Sequence, residues 1–213
     1  MGIFSLFSLN RDSIFGFLNF IPTFVLEFLD VIIMAIAVAY IFEGLFGKFS
    51  GPYKYDPLGA YKQRFDFSKF KFSLYAIAPA VVLHELMHKL VAVAFGVPAT
   101  FYASYGGLAL GIILKLIGSG IIFFVPGFVS IGESLPYQSA LISFAGPFAN
   151  LVLWFVAWYT LKYKSKNLSM NWINILVITR RVNLFLFFFN MIPIPPFDGG
   201  HFFSSLIRMW VGS

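Results

Sequence analysis

Two of the three histidines in this 213-residue chain stand four positions apart, as His84-Glu85-Leu86-Met87-His88. Helical residues four apart share a face, so both imidazoles can reach one metal ion, with Glu85 about 100° round the helix from His84. This is the HExxH arrangement of zinc hydrolysis: each His offers a ring nitrogen, and Glu85 can take a proton from the attacking water and pass it to a leaving amine. A catalytic zinc usually has three protein ligands, so one more is needed. Asp198 and His201 are the candidates, both in the stretch Asn190-Met191-Ile192-Pro193-Ile194-Pro195-Pro196-Phe197-Asp198-Gly199-Gly200-His201. Asp198 also suits a plain helix cap ahead of Gly-Gly.

The surrounding sequence is that of a membrane protein. Of all residues, 59% are hydrophobic and 11% charged, and 29 are Phe. The mean hydropathy of +0.84 is more than one small water-facing domain can hide. Three ionisable groups within five residues of such sequence would each cost about 2.5–3.5 kcal/mol uncompensated, and metal coordination offsets that cost. This weakens the alternative of a chance match on an apolar helix. With no Cys, thiolate zinc sites, iron–sulfur clusters, disulfides and thiol nucleophiles are excluded. The net charge of +6 sits in short loops between apolar runs, which reads as topology and headgroup anchoring rather than nucleic-acid binding.

Runs of about 20 apolar residues place spans at 14–46, 72–95, 137–161 and 171–192. The first, broken near Pro22, is read as a retained span rather than a cleaved leader, with Glu27, Asp30 and Glu43 assigned to the interfaces. Residues 100–136 are interrupted by glycines and prolines into stretches too short to span, so a re-entrant or β-hairpin membrane segment is expected, packed against protein. Pro193, Pro195 and Pro196 end the last span, and a short helix follows from Asp198 to about Met209. The expected fold is therefore an all-α polytopic membrane protein of about four transmembrane helices, that irregular segment and a short C-terminal helix. No repeat or linker divides residues 1–213, so a single domain is expected, and Gly212-Ser213 reads as a tag remnant or a truncation point.

Three elements taken together resemble the site-2 protease family of intramembrane zinc metalloproteases, peptidase family M50. They are His84-Glu85-x-x-His88, Ala145-Gly146-Pro147-x-x-Asn150, and Asn190-x-x-Pro193-x-Pro195-x-x-Asp198-Gly199, in the family's order over about residues 81–201. The resemblance implies one zinc per chain held by His84, His88 and Asp198, with Glu85 as general base. It implies Asn190 as a stabiliser of the oxyanion and gives His201 no ligand role, leaving it near the site or at a helix start. The small size resembles compact prokaryotic and archaeal members, so a multi-pass protein of a prokaryotic cell membrane is expected. Ala145-Gly146 reads mainly as a helix-packing face. Asn150 could bond the metal-binding helix, the loop near Asp198, or serve structure alone.

The implied reaction is hydrolysis of peptide bonds within or near the membrane segments of substrate proteins. A helical substrate must unwind before its carbonyl is reachable, and a strand edge in the 100–132 segment could hold the extended peptide, flanked by the 193–196 loop. A membrane zinc protease for lipophilic or prenylated peptides is an alternative, against which Asp198-Gly199 argues. A metal-binding or transport protein is another, for which three His and no Cys give little second site. Orientation is contradictory: the basic loops 48–71 and 162–166 call their side cytoplasmic, whereas the resemblance puts the loop after HExxH there.

Overall fold

A computed structural model describes residues 9–15, 21–43, 65–119 and 125–211. The short helix α1 (Arg11–Phe15) precedes α2 (Thr23–Phe42), which starts after Pro22. Two consecutive helices, α3 (Phe67–Ala76) and α4 (Ala78–Ala94), form one long apolar rod interrupted at Ile77. Strand β1 (Ala99–Ala103), helix α5 (Tyr105–Leu116) and strand β2 (Gly127–Ile131) follow. Helices α6 (Pro136–Tyr163), α7 (Met170–Asn190) and α8 (Asp198–Val211) complete the order.

Among the described residues, four helical stretches are long and apolar enough to cross a membrane: Thr23–Phe42, Phe67–Ala94, Pro136–Tyr163 and Met170–Asn190. On α2 the exposed face carries Phe24, Phe28, Ile32 and Ile36, a four-residue stripe that water would not tolerate and lipid does. Each of these helices overlaps one of the four expected stretches, with different ends, and the first is a helix over Thr23–Phe42 within 14–46. The second begins at Phe67 rather than 72, because Asp66 caps it by accepting from the Ser68 and Lys69 backbone N–H groups at 2.9 and 3.3 Å. That cap draws Lys69 and Lys71 into helix, although their charge assigns them to the loop. Most of loop 48–71 lies outside the described residues, as does Gly212-Ser213.

Helix α6 is the hub, packing against α4, α7 and α8. On the other side of α4 lie α2, α5 and the two strands, around a core of Met34, Val38, Ile77, Phe101, Leu108 and Ile178. Within the described residues of the 100–136 segment, two antiparallel strands flank the twelve-residue helix α5. Ser104 starts that helix by accepting from Gly107 N–H, and packing against α2 overrides the weak helix propensity of its glycines.

The strands pair Phe101 with Val129, and bonds from Ser104 N–H to Pro126 O and from Gly132 N–H to Pro98 O bracket the ladder. Antiparallel alternation then turns the backbone groups of Phe101 and Val129 outward, on opposite edges. On the β1 edge, Phe101 N–H donates to Glu27 Oε1 at 2.9 Å. That edge is closed by a side chain.

Of the acidic residues on α2 and at its C-cap, Asp30 and Glu43 are buried and Glu27 half-buried, and each is paired. Asp30, mid-helix and 1% exposed, accepts from Arg11 at 3.1 Å and from the Tyr105 hydroxyl at 2.7 Å. Burial, then the hydrogen bond to Asp30, raises the Tyr105 phenol above its ordinary range, so it remains a donor. Glu27 pairs with Lys89, and Glu43 with Lys115. Lone charges at this depth would be costly, and partners drawn from α1, α4 and α5 remove the cost.

Candidate metal centre

His84 and His88 lie one turn apart on α4, both buried, with rings edge to face. Their Nδ1 atoms are held from α6. Asn150 Oδ1 lies 2.6 Å from His84 Nδ1, and Ile142 O lies 2.7 Å from His88 Nδ1. Both partners are acceptors, so each Nδ1 carries the proton and each Nε2 keeps its lone pair. Pro147, buried within α6, supplies no N–H to Ser143 O and crowds it, loosening the helix beside the turn that offers Ile142 O.

The third member comes from the break between α7 and α8. Asp198 opens α8, and its Oδ2 stands 3.0 Å from His84 Nε2 and 3.3 Å from His88 Nε2. A close approach at the two following glycines makes this possible: a Cβ at Gly199 would stand 2.5 Å from Met191 O, and one at Gly200 2.8 Å from Ile194 O. Only a bare backbone lets the start of α8 fold onto the loop and aim the carboxylate inward.

His84, His88 and Asp198 together could hold a metal ion. The two Nε2 atoms are 3.2 Å apart. Tetrahedral zinc with donors at about 2.0–2.1 Å requires donor separations of about 3.3–3.4 Å. The observed triangle matches that size. Three lone pairs converging on one buried point, with both imidazole protons committed elsewhere, favour a cation there. Two nitrogens and a carboxylate oxygen, leaving a fourth position open, are a donor set used for catalytic zinc.

Gly146 forms the floor of this triangle. A Cβ there would stand 2.7 Å from His84 Nε2 and closer still to His88 Nε2. The sequence reading gave Ala145-Gly146 to helix packing, and the geometry gives Gly146 a second duty, as the gap that admits the donor atoms. Glu85 stands half-buried beside His84 on α4, and Asn190 is the half-buried last residue of α7. His201 is exposed on α8 and is not among the converging residues. Asn183, which the sequence reading missed, is fully buried on α7 and accepts from Asn150 Nδ2 at 2.9 Å. An asparagine deep inside a predicted span, two residues after Arg181, was the available signal.

A buried histidine pair and a carboxylate able to hold a metal ion, set among helices long enough to cross a bilayer, fit the class of membrane metallohydrolases. The comparisons agree. A profile of peptidase family M50 matches residues 160–213. The chain is 37% identical to "Putative zinc metalloprotease MJ0611" of Methanocaldococcus jannaschii over 81% of each chain. It is 30% identical to "Putative zinc metalloprotease YwhC" of Bacillus subtilis over 59% of this chain and 64% of that one. No solved structure matches it. The chain belongs to peptidase family M50, the site-2 protease family of zinc metalloproteases.

Proposed function

We propose that this chain is a multi-pass intramembrane zinc endopeptidase that cuts proteins within or near their transmembrane segments, with His84, His88 and Asp198 as the zinc ligands. The depth of the donor triangle carries the reading. His84 lies ten residues before Ala94, the end of α4, or about 15 Å along the axis at 1.5 Å per residue. That is half of a hydrocarbon core about 30 Å thick.

Bound zinc supplies a Lewis acid that lowers the pKa of water and polarises the scissile carbonyl. The protein residues do the rest. Glu85 takes the proton of the attacking water and delivers it to the departing amine nitrogen, and general acid–base assistance of this kind is worth about 10²–10⁴-fold. Asn190, at the turn leading into the Asp198 loop, donates its amide to the oxyanion as the carbonyl becomes tetrahedral. The Nδ1 bonds to Asn150 and Ile142 hold both ligand rings in one orientation through the cycle.

A substrate must present extended backbone, whose freed N–H and C=O groups need partners in lipid. The outward edge of β2 at Val129 offers a matching row, whereas Glu27 closes the β1 edge. Substrates with Gly, Pro or Asn near the cut are favoured, because they unwind at lower cost.

The test is mass spectrometry of single-span substrates, one with a central Gly or Asn and one Leu-rich, incubated with the purified chain and with Glu85→Gln. A cut inside the apolar stretch of the first substrate, lost in Glu85→Gln and on chelation, supports the reading. No cut, with about one zinc still bound per chain, removes the protease reading and leaves the metal site. Equal rates on the two substrates would defeat the unwinding argument.

A further inference from the structure

We propose that Asn183 is a positioning residue for the metal centre: it fixes which way round the Asn150 amide stands, and so decides which nitrogen of His84 is left to bind metal. This rests on the reading of His84, His88 and Asp198 as ligands. Asn150 and Asn183 are both fully buried, at the meeting of α4, α6 and α7. Asn183 is itself oriented from its own helix, its Nδ2 donating to Thr179 O at 2.8 Å. A backbone carbonyl only accepts, so the Asn183 amide nitrogen must face Thr179 and its Oδ1 must face Asn150.

Asn150 Nδ2 then has two acceptors, Asn183 Oδ1 and Ala80 O, each at 2.9 Å. Ala80 lies within helix α4, whose own ladder supplies its carbonyl with a backbone donor. The Asn183 oxygen is the acceptor dedicated to Asn150. With both Asn150 N–H groups committed, its Oδ1 is turned to His84 Nδ1 and can only accept. The proton sits on Nδ1, and Nε2 presents a lone pair to the donor triangle. A reversed Asn150 amide would donate to Nδ1, moving the ring proton to Nε2, where it blocks the metal.

In the wild type, reversal sets the Asn150 oxygen against two oxygens. Without Asn183 it meets one, and a buried N–H is left unpaired in the working orientation. Loss of an outer partner of this kind weakens metal affinity by about 10–100-fold. Sequence spacing hides the relation, because the chain of partners runs from α7 through α6 to α4.

The experiment measures the zinc dissociation constant of the full chain in detergent, by competition with a chromogenic chelator, for wild type, His84→Ala, Asn183→Leu and Thr179→Val. Thr179→Val is the control: it removes the Thr179 hydroxyl bond to Ala76 O of α3, loosening the packing of the same helix α7, but keeps the Thr179 carbonyl that orients Asn183. The expected result is a 10–100-fold weakening in Asn183→Leu at unchanged helical content, with Thr179→Val at the wild-type value. Should the Leu variant not fold, Asn183→Ala removes the same acceptor without added bulk and is read against the same control. Wild-type affinity on loss of Asn183, or equal weakening in Thr179→Val, overturns the proposal alone. A wild-type chain that binds no zinc, or a His84→Ala chain that keeps it, overturns the metal-site reading and this proposal with it.

Discussion

Gly146 on α6 faces His88 on α4 so closely that a methyl group at Gly146 would enter the contact distance of the His88 ring nitrogen. The same methyl would stand 2.7 Å from His84 Nε2. Gly146→Ala therefore sets two effects against each other. A mid-helix glycine replaced by alanine ordinarily gains about 0.5–1 kcal/mol. Here the added carbon displaces the donor atoms. The expected outcome is a folded chain that has lost zinc, read by metal analysis alongside circular dichroism, and stoichiometric zinc in the variant would refute the role given to Gly146.

Metal removal tests the tie between α4 and α8. A ligand at 100 times its dissociation constant stabilises the folded state by about 2.7 kcal/mol. The melting temperature should fall on chelation and return with added zinc, and hydrogen exchange should quicken first at the start of α8. Asp198→Ala should melt at one temperature with or without zinc. A zinc-dependent melt persisting in Asp198→Ala would place the ion elsewhere.

Glu27 and Lys89 join the helix that carries both histidines to α2, and the other oxygen of Glu27 holds the backbone of β1. Removing either partner leaves a partly buried charge unpaired, while removing both does not. The double variant Glu27→Gln/Lys89→Gln should be destabilised by less than the sum of the two single losses, with a coupling energy on the order of 1 kcal/mol in a double-mutant cycle of denaturant unfolding. Additive losses would show that the pair contributes nothing beyond its separate contacts.

Val129→Pro tests the edge proposed to receive substrate. Proline removes an outward N–H and spares the ladder to β1, and edge positions tolerate it. One hydrogen bond of about 1–1.5 kcal/mol corresponds to roughly tenfold. Cleavage of the Gly-containing substrate should therefore drop about tenfold in kcat/KM at unchanged zinc content. Undiminished cleavage would move the docking edge away from Val129.

The spacing of His84, Glu85 and His88 made half the candidate site legible, since helical periodicity alone puts the two rings on one face. Asp198 needed more. As an isolated residue it reads equally as a cap, and only its place in the Asn190-to-Gly199 motif singled it out. Apolar runs marked the four long helices, but their ends were set by features hydropathy does not register, such as the Asp66 cap. Helix α5 was hidden because its glycines argue against helix and only contact with α2 overrides them. The pairings of Asp30 with Arg11, Glu27 with Lys89 and Asn183 with Asn150 were hidden for another reason: each spans 19 or more residues of chain. One sequence carries no periodicity linking such pairs.

His84 and Asp198, whose atoms meet at 3.0 Å, are separated by 114 residues of chain. At about 5–20 residues per second, a ribosome takes roughly 6–23 s to get from the first to the second. Throughout that interval the nascent protein holds two donors of the triangle and lacks the third. Whatever activity a centre of these three donors has is withheld until translation passes Asp198.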